Sequence, residues 1–166
     1  MAVKNAKGAA RRHSREIALQ VLYGWKLGGG DALEHARTLE GWASCDQAFA
    51  EELIQGVMQQ AGELEQRISP HLDRSLASLS PVERVILLIG TYEFSARLET
   101  PFKVVLNEAI ELGKSFGGTD GHKFINGVLT TQDEAQALAR KDKGAEAVRV
   151  ALEMARLRQE LAAKWR

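Results

Sequence analysis

At 166 residues the chain is sized for one domain, or one domain with a tail. Its apolar fraction of 45% is enough for a core, and 22 basic against 22 acidic side chains cancel, so the whole chain is not a sponge for nucleic acid. The single cysteine, Cys45, excludes an internal disulfide. No run of eighteen apolar residues and no secretory pattern is present, which points to a reducing cytoplasm and no membrane contact.

Charge is unevenly spread. Residues 1–15 hold Lys4, Lys7, Arg11, Arg12 and Arg15 and no acid, while residues 31–65 hold eight acids against Arg37 alone. A basic end and an acidic flank suit a protein that touches a polyanion at one place and a basic partner at another. Residues 1–10 carry few bulky apolar side chains and are expected to be disordered. A helix is predicted from Arg11, with Ile17, Val21 and Leu27, flanked by Ala18, Leu22 and Trp25, on its apolar face. Gly28–Gly30 stops it.

Asp31 is placed to cap a second helix that turns Leu33, Ala36, Leu39 and Trp42 inward, and a loop follows at 44–46. The third helix carries Phe49, Leu53, Ile54, Val57 and Met58 and runs on, or bends near Gly62, through Leu64 and Ile68. Ser69-Pro70 breaks the pattern, and an irregular link leads to Ser80. Ser80-Pro81-Val82-Glu83 has the form of a capping box with proline at the first helical position. The run VILLIGTYEF that follows is apolar almost all round and predicts a central helix. A buried strand is the rival for VILLI, but no other segment alternates with period two to pair with it. The chain therefore reads as an all-α bundle.

Residues 101–129, PFKVVLNEAIELGKSFGGTDGHKFINGVL, predict a helix–turn–helix corner. Phe102, Val105, Leu106, Ala109, Leu112 and Phe116 build one face, and Lys103, Asn107, Glu111 and Lys114 the other. Thr100 is the expected cap, Gly117 and Gly118 end the helix, and Thr119 or Asp120 caps a second short helix with Phe124, Ile125, Val128 and Leu129. Asp120, His122, Lys123 and Asn126 crowd the tip around Phe124. One reading is a solvated loop. The other is an edge for single-stranded RNA, with an aromatic face for a base, a cation for phosphate and donors for base edges.

Beyond Leu129 the composition turns to Ala, Glu, Lys and Arg, divided by Gly144. Val150, Met154, Leu157, Leu161 and Trp165 then step by four, three, four and four, close to heptad spacing. Such a helix either folds back or stays solvated, or it serves self-association or another partner.

Chemistry is sparse. The four histidines show no metal spacing, Cys45 lacks a nucleophile context, and Gly117–Lys123 departs from a phosphate loop because His122 separates Gly121 from Lys123. Arg11, Arg12 and Arg15 oppose the dipole at a helix start, which phosphate contact would explain.

NEAIELGKSFGGTDGHKFINGVL resembles the C-terminal signature of the NusB family of bacterial transcription antitermination factors. ARRHSREIALQVLYGWKL and SPVERVILLIGTYEF match two further stretches in the same order, so the resemblance covers about residues 10–130. It implies an all-α bundle of about seven helices in two packed sub-bundles. Residues 1–10 would be a disordered basic start, 11–131 the RNA-binding domain, and 132–166 a charged amphipathic helical extension past the usual end of the family. It further implies a non-enzymatic factor without cofactor that binds boxA RNA together with NusE, a small-subunit ribosomal protein. That pair promotes read-through in ribosomal RNA operons and acts on the RNA polymerase elongation complex indirectly.

Carried over by motif, RNA contact falls to Arg11, Arg12, Arg15 and Tyr23 and to Asp120, His122, Lys123, Phe124 and Asn126. NusE contact falls to Glu83, Tyr92 and Glu93. Position 13 is His where a third basic residue is common, which weakens the run at neutral pH. Some members dimerise and hide RNA surface, so a homodimer stands open here. Two alternatives compete: a helical adaptor without RNA, and the N-terminal domain type of a ribosomal RNA cytosine methyltransferase. The second needs a Rossmann-like domain and a glycine fingerprint that the sequence lacks.

Overall fold

The computed structural model describes the backbone of residues 2–164 and, within that span, every side chain except those of 2, 4, 140–145, 161 and 164. The elements are α1 (Ala2–Gly28), α2 (Ala32–Thr38), α3 (Gln47–Ile68), α4 (Pro81–Ala96), α5 (Phe102–Phe116) and α6 (Gly121–Lys164). Short 3-10 turns occupy Glu40–Ser44, Ser69–His71 and Leu76–Ser78. No strand occurs among the described residues, and the fold is the expected all-α bundle. The chain forms two compact units, Met1–Thr131 and Gln132–Arg166.

In the first unit α1, α2 and α3 pack together, α4 packs on α1, α3 and α5, and the core lies where these helices meet. Helix α4 is central because it is apolar on every side: all ten residues from Val85 to Phe94 are buried. Its start is the predicted capping box, with both reciprocal Ser80–Glu83 bonds present. Asp31 caps α2 as expected, and Asp46, expected in a loop, caps α3 by accepting from the Phe49 N–H at 3.1 Å.

Two glycines set close helix approaches. A Cβ on Gly56 of α3 would lie 2.2 Å from Cε2 of Tyr92, so the glycine makes room for that ring. A Cβ on Gly113 of α5 would lie 3.0 Å from the His122 Cα, which brings the end of α5 against the start of α6. Glu65 ties three helices, accepting from Lys26 and from Arg84, each at 2.7 Å.

Several boundaries differ from expectation. Residues 2–10, expected to be disordered, belong to α1, because Ala2, Ala6, Ala9, Ala10 and the lysines favour helix even without a bulky apolar face. The N-cap position of α5 is Pro101, one residue after the expected Thr100, and it makes no side-chain cap hydrogen bond. Leu27 and Phe116, expected on apolar faces, are exposed near helix ends, past the last neighbour able to cover them. No break occurs at Gly144: one α6 replaces the expected short helix and separate tail helix. Trp165 and the Leu161 side chain lie outside the described residues.

Candidate nucleic-acid interface

The arginine-rich start of α1 divides by helical geometry. Residues 12, 13, 16, 20 and 23 recur on one side of a 3.6-residue repeat, and there Arg12, His13, Gln20 and Tyr23 are exposed and Glu16 half-buried. Residues 14, 15, 17, 18, 21 and 22 face the core and are buried.

Arg12 is the exposed cation of this run. Its Nε and Nη2 donate to the two oxygens of Glu108 on α5 at 3.0 and 2.9 Å, a planar fork that fixes the guanidinium. The hydrogen bonds to Glu108 hold its pKa above the ordinary arginine value. Alongside lies a small cavity of about 160 Å³ lined by Arg12, Glu16, Glu108, Glu111, Leu112 and Ser115. Residues 108 to 117 span about 14 Å at the α-helical rise, so α5 carries this surface from Arg12 to the loop after it.

Arg15 does not join that surface. It is 4% exposed, and its guanidinium donates to the Glu93 carboxylate at 2.7 and 3.0 Å. Arg15 and Glu93 were expected on two different interfaces, yet they meet each other inside the bundle. The pairing has a plain cause: a buried charge needs a partner, and each is the other's. Arg11 is intermediate, with Nε 3.5 Å from Asp46 Oδ2. The guanidiniums of Arg11, Arg15 and Arg97 all approach the Phe49 ring, at 5.0, 5.1 and 5.0 Å from its centroid. Arg97, at the end of α4, also pairs with Glu52 at 2.7 Å and Glu99 at 2.9 Å.

Tyr92, a second expected partner residue, is also buried. Its ring fills the space beside Gly56, its hydroxyl donates to Glu52 at 3.4 Å, and burial pushes its pKa up. Glu83 is half-buried and holds the capping box. Its Oε1 lies 3.0 Å from where a Cβ on Gly121 would stand, so it also adjoins the start of α6.

At the tip Asp120 and Lys123 are exposed and pair at 3.2 Å, one turn apart. Asn126 is exposed and accepts from the Thr130 hydroxyl at 3.2 Å, and His122 is half-buried against Gly113. Phe124 does not stand free for a base. It packs at the edge of the core, and the Arg74 guanidinium lies 4.6 Å over its ring, itself held by Asp73 at 2.8 Å. Sequence reasoning missed Arg74 and Glu108, because a contact between distant segments leaves no periodic signal.

A second concavity of about 580 Å³ lies on the same side of α1, lined by His13, Glu16, Ile17, Gln20, Leu39, Glu40, Gly41 and Ser44. The described residues contain no group of three or more His, Cys, Asp or Glu placed to hold a metal ion. Burial pushes the Cys45 thiol up, away from a reactive thiolate, and its Sγ donates to the Trp42 carbonyl at 3.3 Å.

A family model described as "NusB family" matches residues 12–134. The chain belongs to the NusB family. It is 45% identical over 144 residues to the transcription antitermination protein NusB of Dechloromonas aromatica, covering 85% of this chain and 86% of the relative. The fold is similar to that of T. maritima NusB at a TM-score of 0.67 and 28% identity, over 75% of this chain and 90% of that one. It is also similar, at a TM-score of 0.63 and 27% identity, to a chain of a structure described as antitermination factors NusB and NusE in complex with dsRNA. That match covers 76% of this chain and 98% of the other. The three stretches that resemble NusB sequences thus lie on α1, on α4, and from α5 into α6.

Proposed function

We propose that this chain is a cytoplasmic, non-enzymatic transcription antitermination factor that binds boxA-type RNA together with NusE and promotes read-through in ribosomal RNA operons. The observation that carries the RNA contact is the exposed Arg12–Glu108 fork. A half-exposed guanidinium held in one plane beside a cleft, with its carboxylate partner half-buried behind it, keeps its outer edge ready for a phosphate without having to order a loose side chain. Tyr23, further along the same exposed stripe, offers a face for a base. Lys123, His122 and Asn126 supply a cation and donors at the far end of α5, with Asp120 orienting Lys123. Phe124 and Arg15 serve this surface from beneath by fixing the tip and the first turns of α1. The membership of the NusB family and a related fold described with NusE and RNA support the partner reading. Glu83 is the half-buried remnant of the expected NusE surface, with Tyr92 and Glu93 shaping α4 behind it.

The test is fluorescence anisotropy of a labelled boxA-like RNA and a scrambled control, single-stranded and duplex, with and without NusE, across a salt series. Sequence-specific binding that NusE strengthens is the expected result. Equal binding of both sequences under every condition would refute the reading.

A further inference from the structure

In the second unit the described residues of α6 carry an exposed apolar stripe. Val150, Met154 and Leu157 are 51%, 52% and 48% exposed, and they follow Ala147 at steps of three, four and three. Leu161 extends the spacing in the sequence by four. At 100° per residue these positions fall within an arc of about 80°, the width of a coiled-coil seam rather than of a face that packs on a globular core.

The flanking charges say what covers it. With Ala147, Met154 and Leu161 at a positions and Val150 and Leu157 at d, the residues beside the seam are Glu146, Glu153 and Glu160 at g and Ala151 and Arg158 at e. Glu146 and Glu160 pair within their own helix, with Arg149 and Arg156. Among the described residues Glu153 and Arg158 make no ion pair or hydrogen bond, and both are exposed. In a parallel pair of helices a g residue faces the e residue five positions later on the other strand, which sets Glu153 against Arg158. In an antiparallel pair g faces g, which sets glutamate against glutamate.

We propose that this segment pairs with the same segment of a second copy of the chain as a short parallel coiled coil, joined by reciprocal Glu153–Arg158 ion pairs. The helix already exists within the 44-residue α6, so pairing does not bear the cost of nucleation. Two heptads are fewer than the three to four of a self-sufficient coiled coil, so the dimer is concentration-dependent. Two copies of the chain would then carry two RNA surfaces on one assembly, which raises the local concentration of the second once the first is bound.

Sedimentation equilibrium of the full chain from micromolar to millimolar concentration tests it. The expected result is a shift from monomer to dimer mass. Leu157→Asp should weaken association by about tenfold or more, with the circular dichroism of the first unit unchanged because the side chain is exposed. Glu153→Arg and Arg158→Glu should each weaken it several-fold, and the double exchange should restore it. A monomer at every concentration overturns the proposal, whether the stripe is then solvated or rests on its own chain. A dimer indifferent to Leu157→Asp places the interface elsewhere, and a double exchange that fails to restore association removes the parallel pairing.

Discussion

Replacing Arg15 with methionine separates a structural arginine from an RNA-contacting one. The substitution keeps most of the aliphatic volume and removes the charge, leaving the Glu93 carboxylate buried at 2% side-chain exposure without its two hydrogen bonds at 2.7 and 3.0 Å. Removing one partner of a buried pair costs about 3–5 kcal/mol. For a unit of this size that lowers Tm by roughly 10–25 °C. Carrying Glu93→Leu on the same chain should recover most of the loss, since an apolar pair of similar volume is often neutral or better. The assays are thermal unfolding followed by circular dichroism, and RNA affinity corrected for the folded fraction. Stability within about 1 kcal/mol of the parent, joined to a tenfold loss of affinity, would refute the buried-pair account and return Arg15 to the RNA surface.

Arg12→Gln should cost about 1 kcal/mol or somewhat more, since the guanidinium is half exposed but its partner Glu108 has only 15% side-chain exposure and loses both hydrogen bonds. It should lower the slope of log K against log salt by about 0.7 for single-stranded RNA, and an unchanged slope would remove Arg12 from the interface. Phe124→Leu should cost about 0.5–2 kcal/mol of stability through the lost Arg74 contact, with affinity per folded molecule held. A large affinity loss at constant Tm would mean that a base stacks there. Gly56→Ala should destabilise by about 1–3 kcal/mol despite alanine's better helix propensity, because its Cβ meets the Tyr92 ring; a raised Tm contradicts this. Burial raises the Glu65 pKa, but hydrogen bonds from Lys26 and Arg84 outweigh it and hold the carboxyl below its usual range. The native contribution of Glu65 is therefore present above about pH 4.3 and lost as pH falls through the lower folded value. Glu65→Gln should thus be less stable than the parent at neutral pH, with the gap closing in acid; a pH-independent gap in denaturant titrations counts against it.

What could be read from the sequence was local. The Ser80–Glu83 capping box and the Asp31 cap act within three residues, and the apolar periods of α3, α4 and α5 within one helix, so each was legible before any tertiary contact was known. The charge run of α1 was legible as charge but not as surface. Which arginine is buried and which stays exposed depends on their partners Glu93 and Glu108, 78 and 96 residues away. The same holds for Phe124, whose aromatic face looked available because nothing nearby in sequence announces Arg74. The start of α1 failed for another reason: alanine and lysine favour helix by propensity, but without bulky apolar residues no periodic pattern marks that helix in the sequence.

Phe49 has a consequence for how the surface works. Its ring on α3 gathers two guanidiniums from α1 and one from the end of α4, while Asp46, Glu52, Glu93 and Glu99 neutralise them. Arg12 and Tyr23 therefore project from a helix that is braced from behind. Their geometry is set before any RNA arrives, and association does not have to order that part of the backbone. On the proposed RNA-binding reading, a change at Phe49 would loosen this brace and slow productive docking while leaving Arg12 and Tyr23 themselves unaltered.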